Sequence, residues 1–217
     1  MVSGVMERRK IGFVVGLKAE AALLRGSGFM AGIGGGAPAG AAAAAAHLVA
    51  EGAVALVSFG LAGGLNPALR AGDILIPPQV IEDGATYNCA PALLAWLGGA
   101  TAGPMLAGGE IAATVAQKSA LFAAYQADAI DLESGAVARI AAAAGLPFAV
   151  LRAVTDVAAC DLPPAALAAL DQTGAIGLAR VIGAVLRAPG QIPALLRLAR
   201  DAGRARGALQ RHLRLLA

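Results

Sequence analysis

The chain is poor in the residues that most often announce chemistry on their own. Its 217 residues hold two cysteines, Cys89 and Cys160, and two histidines, His47 and His212. Two isolated cysteines build no disulfide framework, and neither pair has metal-ligand spacing. The expectation is therefore a protein without a metal centre or a bound cofactor, suited to a reducing cytoplasm. Uninterrupted apolar runs are also lacking. The uncharged stretch 26–50 contains a glycine cluster, Pro38 and His47, so it reads as strand, turn and helix and not as a membrane span. Residues 1–10 end in charge and offer no signal-peptide core or cleavage site. Charged residues are only 14% of the chain and the mean hydropathy is +0.71, but alanine carries much of the 58% apolar content.

One sign of charge is nearly absent from the end of the chain. From Arg187 onward there are seven arginines against one acid, Asp201, leaving ten basic and thirteen acidic groups before it. The net charge of +3 is thus a property of the tail and gives no reason to expect nucleic acid as a partner.

What is present is an alternation. Residues 11–16, 29–33, 53–59, 127–130 and 147–154 are short apolar runs bounded by Gly, Pro or acid, and read as buried strands. Residues 73–81 read as a strand bent at Pro77-Pro78. Between them, residues 19–24, 39–51, 91–96, 111–124 and 133–144 are rich in helix formers. A long helix is expected over 163–186, a break at Pro189-Gly190, and a last helix over 192–216. Strands alternating with helices predict a single α/β domain, a mostly parallel sheet flanked by helices, over residues 1–186. A basic amphipathic helical extension, 187–217, follows it.

Two carboxylates stand at the ends of two of these strands. Glu133 follows Asp131-Leu132 and opens a helix with Ser134; Asp156 closes Leu151-Arg152-Ala153-Val154-Thr155. Ligands of open α/β sheets bind at the carboxyl ends of strands, so both acids are expected at one crevice. Unaided, Asp156 also reads as a helix N-cap and Glu133 as a first-turn acid. Arg152, inside an apolar strand, needs a buried acid or carbonyl as partner. The cluster Gly32-Ile33-Gly34-Gly35-Gly36 suggests a dinucleotide site only superficially, because no acid ends the next strand near Val57-Ser58-Phe59.

Five segments in order resemble the nucleoside phosphorylase/nucleosidase family, and within it the methylthioadenosine/S-adenosylhomocysteine nucleosidases. They are Ile11-Gly12-Phe13-Val14-Val15-Gly16 leading to Glu20, Ala31-Gly32-Ile33-Gly34, and Ser58-Phe59-Gly60-Leu61-Ala62-Gly63-Gly64-Leu65. The fourth and fifth are Asp131-Leu132-Glu133-Ser134 and Arg152-Ala153-Val154-Thr155-Asp156. The resemblance implies that Asp156 protonates the departing purine and that Glu20 activates water. It also implies that Glu133 accepts hydrogen bonds from the ribose hydroxyls with Leu132 beneath the sugar. Gly60, Gly63 and Ser134 join them as substrate-binding positions. Relatives form dimers or larger assemblies, which implies a homo-oligomer here.

Hydrolysis is favoured over phosphorolysis, because only Lys18 is cationic where the phosphorylases place arginines, and a carboxylate at Glu20 repels phosphate. The Arg-rich tail and Ala-rich glycine segment are similar to a subgroup associated with hopanoid lipid biosynthesis. That implies adenosylhopane as substrate, a lipid-linked adenosine derivative. The last helix places Ile192, Leu195, Leu196, Ala199, Ala202, Leu209, Leu213 and Leu216 on one face and Arg197, Arg200, Arg204 and Arg211 on the other; Arg206 breaks the pattern. Such a face either docks on the core or meets anionic lipid at the inner membrane face. The alternatives that stay open are a soluble methylthioadenosine-type nucleosidase, a phosphorylase, and a catalytically silent nucleoside- or lipid-binding protein.

Overall fold

A computed structural model describes residues 8–167 and 188–216. The strands are β1 (Ile11–Val15), β2 (Met30–Ile33), β3 (Ala55–Gly64), β4 (Ile74–Leu75), β5 (Gln79–Glu82), β6 (Ala85–Asn88), β7 (Met105–Ala107), β8 (Ala129–Asp131) and β9 (Phe148–Asp156). The helices are α1 (Lys18–Ala21), α2 (Pro38–Ala50), α3 (Pro91–Leu97), α4 (Val115–Tyr125), α5 (Ser134–Ala144), α6 (Pro164–Leu167) and α7 (Ile192–Leu216). All nine strands form one sheet, in the order β2-β1-β3-β8-β7-β5-β6, with β9 pairing both β3 and β4. β1 lies parallel to β2 and β3, β3 to β9, and β7 to β5 and β8. The mostly parallel α/β architecture follows.

The central strands β1, β3 and β9 are mostly apolar and buried, as strands covered on both faces must be. Every residue of β1 and the first six of β3 are buried. Phe13, Phe29, Phe59 and Trp96 stack edge to face or tilted beneath them. The alanines of α2 and α5 let those two helices pack against each other beside the sheet.

Three departures from the sequence expectation shape the site. β3 does not stop at Phe59 but continues through the glycines to Gly64. A register shift between Ala62 and Gly63 brings Gly63 opposite Asp156 of β9, while Gly63 and Gly64 also pair antiparallel with β8. The run 73–81 is two strands: β4 pairs with β9, while β5 turns into a hairpin with β6. Asp83 and Gly84 form that two-residue turn, both with positive φ (48° and 79°), as a type I′ turn requires. The short strand β7 sits where no strand is expected.

The long helix expected over 163–186 begins as α6, and the remainder lies outside the described residues. The last helix is present as α7. Its second half joins the main core: Ala205, Leu209, Leu213 and Leu216 belong to the same buried cluster as β3 and β9. His212 Nε2 lies 2.7 Å from the Leu97 carbonyl oxygen. The first half leaves Ile192 44% and Leu196 52% exposed. Among the described residues no helix is long and apolar enough to cross a membrane.

Candidate active site

The carboxyl ends of β1, β3, β8 and β9 open into a cavity of about 770 Å3. Its wall includes Glu20, Leu132, Glu133, Gly63 and Asp156, five of the seven positions expected from sequence. The other two, Gly60 and Ser134, do not line it. Ser134 is fully buried, its hydroxyl bonded to Asp131 and to Ser58 Oγ (3.1 Å), so it supports the wall from behind. At Gly60 (φ 149°) a Cβ would lie 2.5 Å from Glu20 Oε1 and 2.7 Å from Arg152 Nη1. The glycine there makes room for two protein side chains, not for a ligand. Gly60→Ala should therefore displace both and lower turnover at least tenfold while the chain stays folded; near-normal kinetics would show that Glu20 tolerates the shift.

Four charged side chains form the centre, each 7% exposed or less. Arg152, projecting from β9, pairs with Asp131 (2.8 Å) and Glu133 (3.2 Å) and donates to Ser58 Oγ (2.7 Å). These are the partners the sequence leaves unspecified. Asp131 ends β8, and its Oδ1 also accepts from the backbone N–H groups of Glu133 and Ser134, holding the entry to α5. Glu133 further accepts from Gly36 N (3.2 Å), so the glycine cluster after β2 serves this carboxylate. Glu20 accepts from Gly16 N (3.0 Å) and Leu17 N (2.8 Å) on one oxygen and from Leu61 N (2.9 Å) on the other. The tight turn after β1 is thus built around it.

Three carboxylates share one guanidinium, so not all are easily ionised. Burial raises Glu133 to about 7 against the pull of Arg152. Burial also raises Glu20, opposed by Arg152 and by its three backbone donors. Asp156 stands apart from this group. Burial raises it too, while Lys118 pulls it down. Lys118 Nζ sits 2.7 Å from Asp156 Oδ2 and donates to the carbonyls of Val157 and Cys160, both at 3.0 Å. The site therefore offers a carboxylate held by three backbone donors, Glu20, a second carboxylate beside Arg152, Glu133, and a separate acid that can carry a proton, Asp156.

Sequence reading alone misses three residues here. Lys118 gives no signal, because a single lysine in a helix ordinarily faces water. Asp131 does, as an acid two and three residues before the N–H groups it caps. Arg206, the one arginine that breaks the amphipathic pattern of α7, lines the cavity. The rest of that wall is apolar: Leu195, Leu196, Leu198, Ala199 and Ala202 of α7, with Ile111, Leu162, Ala166 and Leu167.

Comparison with known proteins identifies the family and the fold. The sequence matches the phosphorylase superfamily over residues 10–92 and 100–188. A search of curated proteins finds no match in sequence. In structure the chain is similar to S-adenosylhomocysteine nucleosidase of Streptococcus pyogenes, solved with 5-methylthiotubericidin, with a TM-score of 0.68 at 19% identity, covering 99% of this chain and 100% of that one. It is similar to the 5′-methylthioadenosine/S-adenosylhomocysteine nucleosidase of Helicobacter pylori, at 0.68 and 15%, covering 94% and 97%. A futalosine hydrolase mutant from the same organism superposes at 0.60 and 15%, covering 66% and 88%. With the family match spanning most of its length, this chain belongs to the phosphorylase superfamily.

Proposed function

We propose that the protein hydrolyses the N-glycosidic bond of a 5′-substituted adenosine, releasing adenine. The observation that carries this reading is the joining of Glu20, Glu133 and Asp156 at one cavity wall. An adenine anion leaves poorly, so a protonated Asp156 beside the purine lowers the barrier. Glu133 accepts from the ribose hydroxyls, and its charge with that of Glu20 favours a cationic sugar centre, as carboxylates do in other glycosidic cleavages. Glu20 takes the proton of the attacking water. The nucleosidase relatives, solved with adenosine-like ligands, support the same substrate class.

The apolar wall from α7 supports a large, greasy 5′ substituent, and the substrate proposed is adenosylhopane. Ile192 and Leu196 stand exposed on that helix beside exposed Arg197 and Arg200, a pairing suited to an anionic bilayer from which such a substrate is drawn. Each basic side chain adds about 1 kcal/mol near an anionic surface, and salt weakens it. Because the second half of α7 is core, the test uses point changes and not truncation. Ile192→Ser with Arg200→Glu should abolish salt-sensitive sedimentation with anionic vesicles and slow release of adenine from adenosylhopane in vesicles. Cleavage of soluble methylthioadenosine should persist. Equal activity on both substrates with no vesicle binding by the parent would remove the lipid reading.

One observation favours phosphorolysis as a second reading. Arg206 lines the cavity with no ion pair among the described residues, so it is a cation that phosphate could meet. Comparing adenine release with and without phosphate decides between the two.

A further inference from the structure

Asp156 is held by a lysine that has no contact with solvent. Lys118 is 0% exposed, lies in the first turn of α4, and is that helix's one buried residue. Thr114 and Gln117 fix the helix start by accepting from each other's backbone N–H. All three ammonium protons are committed, to Asp156 Oδ2, Val157 O and Cys160 O. A buried ammonium without partners is costly, and this full set of acceptors offsets that cost. Asp156 Oδ1 has no side-chain donor among the described residues, and the carboxyl rests against Gly63, where a Cβ would lie 3.3 Å from Oδ2 and 3.4 Å from Oδ1. Both Asp156 and Gly63 line the cavity.

We infer that Lys118 is a positioning residue for Asp156: it pins Oδ2, leaves Oδ1 to carry the proton toward the purine, and compensates the carboxylate that remains after transfer. The inference rests on the proposed nucleosidase reading. The proton leaves Oδ1 for the purine nitrogen as the glycosidic bond breaks toward the base, and Asp156 becomes an anion 2.7 Å from a cation already in place. No charge has to be brought in at that moment, which is how preorganised groups assist. A cation this close also makes Asp156 a stronger acid, so less of it is protonated at a given pH. The other charged groups near it act from farther away. Glu20, Glu110, Asp131, Glu133, Arg152 and Arg206 share the cavity, and Asp161, Arg197 and Asp201 line a small crevice behind it with Cys160.

The test compares Lys118→Met, Lys118→Gln and Lys118→Arg. Adenine release against pH is measured for each, together with the carboxyl titration of Asp156 by carbon-13 NMR, assigned with Asp156→Asn. Loss of a charge at this distance moves an Asp pKa by one to three units. Activity needing protonated Asp156 falls as pH rises through its pKa, so the alkaline limb should move upward by one to three pH units in Met and Gln. The maximal rate should drop about tenfold or more. Arg should leave the limb near its original place. Gln can still donate to Asp156 and a carbonyl, so it separates charge from hydrogen bonding if Met fails to fold. A limb and an Asp156 titration unmoved in Gln would overturn the inference and leave Lys118 as an anchor for the turn at 157–160. If the wild type releases no adenine from any adenosine derivative, the nucleosidase reading fails. The NMR titration still decides whether Lys118 governs the proton on Asp156.

Discussion

Asp156→Asn should lower the rate of adenine release by roughly 10²–10⁴, the usual contribution of a general acid. Asparagine keeps the shape of the side chain but has no carboxyl proton to give. Binding through Glu133 should persist, so an inhibitor that contacts only the ribose side should keep its affinity within a few-fold. The variant also takes from Lys118 the carboxylate it faces whenever Asp156 is ionised, although the amide oxygen can still accept from Nζ, so part of the stability of that pair is lost. The melting temperature should therefore fall, and rates must be referred to folded protein. The alkaline limb of the pH profile should vanish with the titrating acid. Activity within a few-fold of wild type on folded protein would remove Asp156 from the acid role.

The α/β frame was legible because the strands are short apolar runs closed by Gly, Pro or acid, and the helices are alanine-rich. Their order alone predicts parallel pairing. β3 is longer than its sequence suggests because Gly60, Gly63 and Gly64 weaken a strand in isolation. Here β9 and β8 supply partners that the local sequence does not show. The β5–β6 hairpin carried its signal in Asp83-Gly84, between strands of only four residues each. At the site, carboxylates at strand ends could be placed in one crevice from topology. The pairing of buried Lys118 with the cavity-lining Asp156, and of Arg152 with Asp131, could not, since each joins residues of different elements and depends on a fold that exists only once the sheet is closed. The tail was half legible. Its periodicity gave the apolar face, but that face is divided between a core contact at Leu209 and Leu213 and a cavity wall at Leu195, Ala199 and Ala202.

Glu20→Gln should block hydrolysis, and added phosphate should not speed the wild type. Burial is the largest influence on Glu20 and outweighs its three backbone donors and Arg152, so its carboxylate is a better base than an ordinary glutamate. A raised pKa means the base is lost at a higher pH on acidification, so the acid limb should lie above the usual glutamate range and disappear in the variant. Glutamine brings a second effect. Both carboxylate oxygens accept backbone N–H groups, two on Oε2 and one on Oε1. An amide has one oxygen, so its NH2 must face a donor, most easily that of Leu61. An unsatisfied buried donor costs about 1–3 kcal/mol, and the turn after β1 should loosen accordingly. Glu20→Asp retains the charge without the reach and should recover part of the fold stability and little of the rate. Loss of a general base contributes roughly 10²–10⁴ in rate, the drop expected for Gln beyond any loss of folded protein. Phosphate, carrying two negative charges near neutral pH, would approach this carboxylate against repulsion, whereas water would not. If phosphate instead accelerates the wild type and the product is a ribose 1-phosphate, Glu20 is not the base, and Arg206 and Lys18 become the groups to test as its binding site.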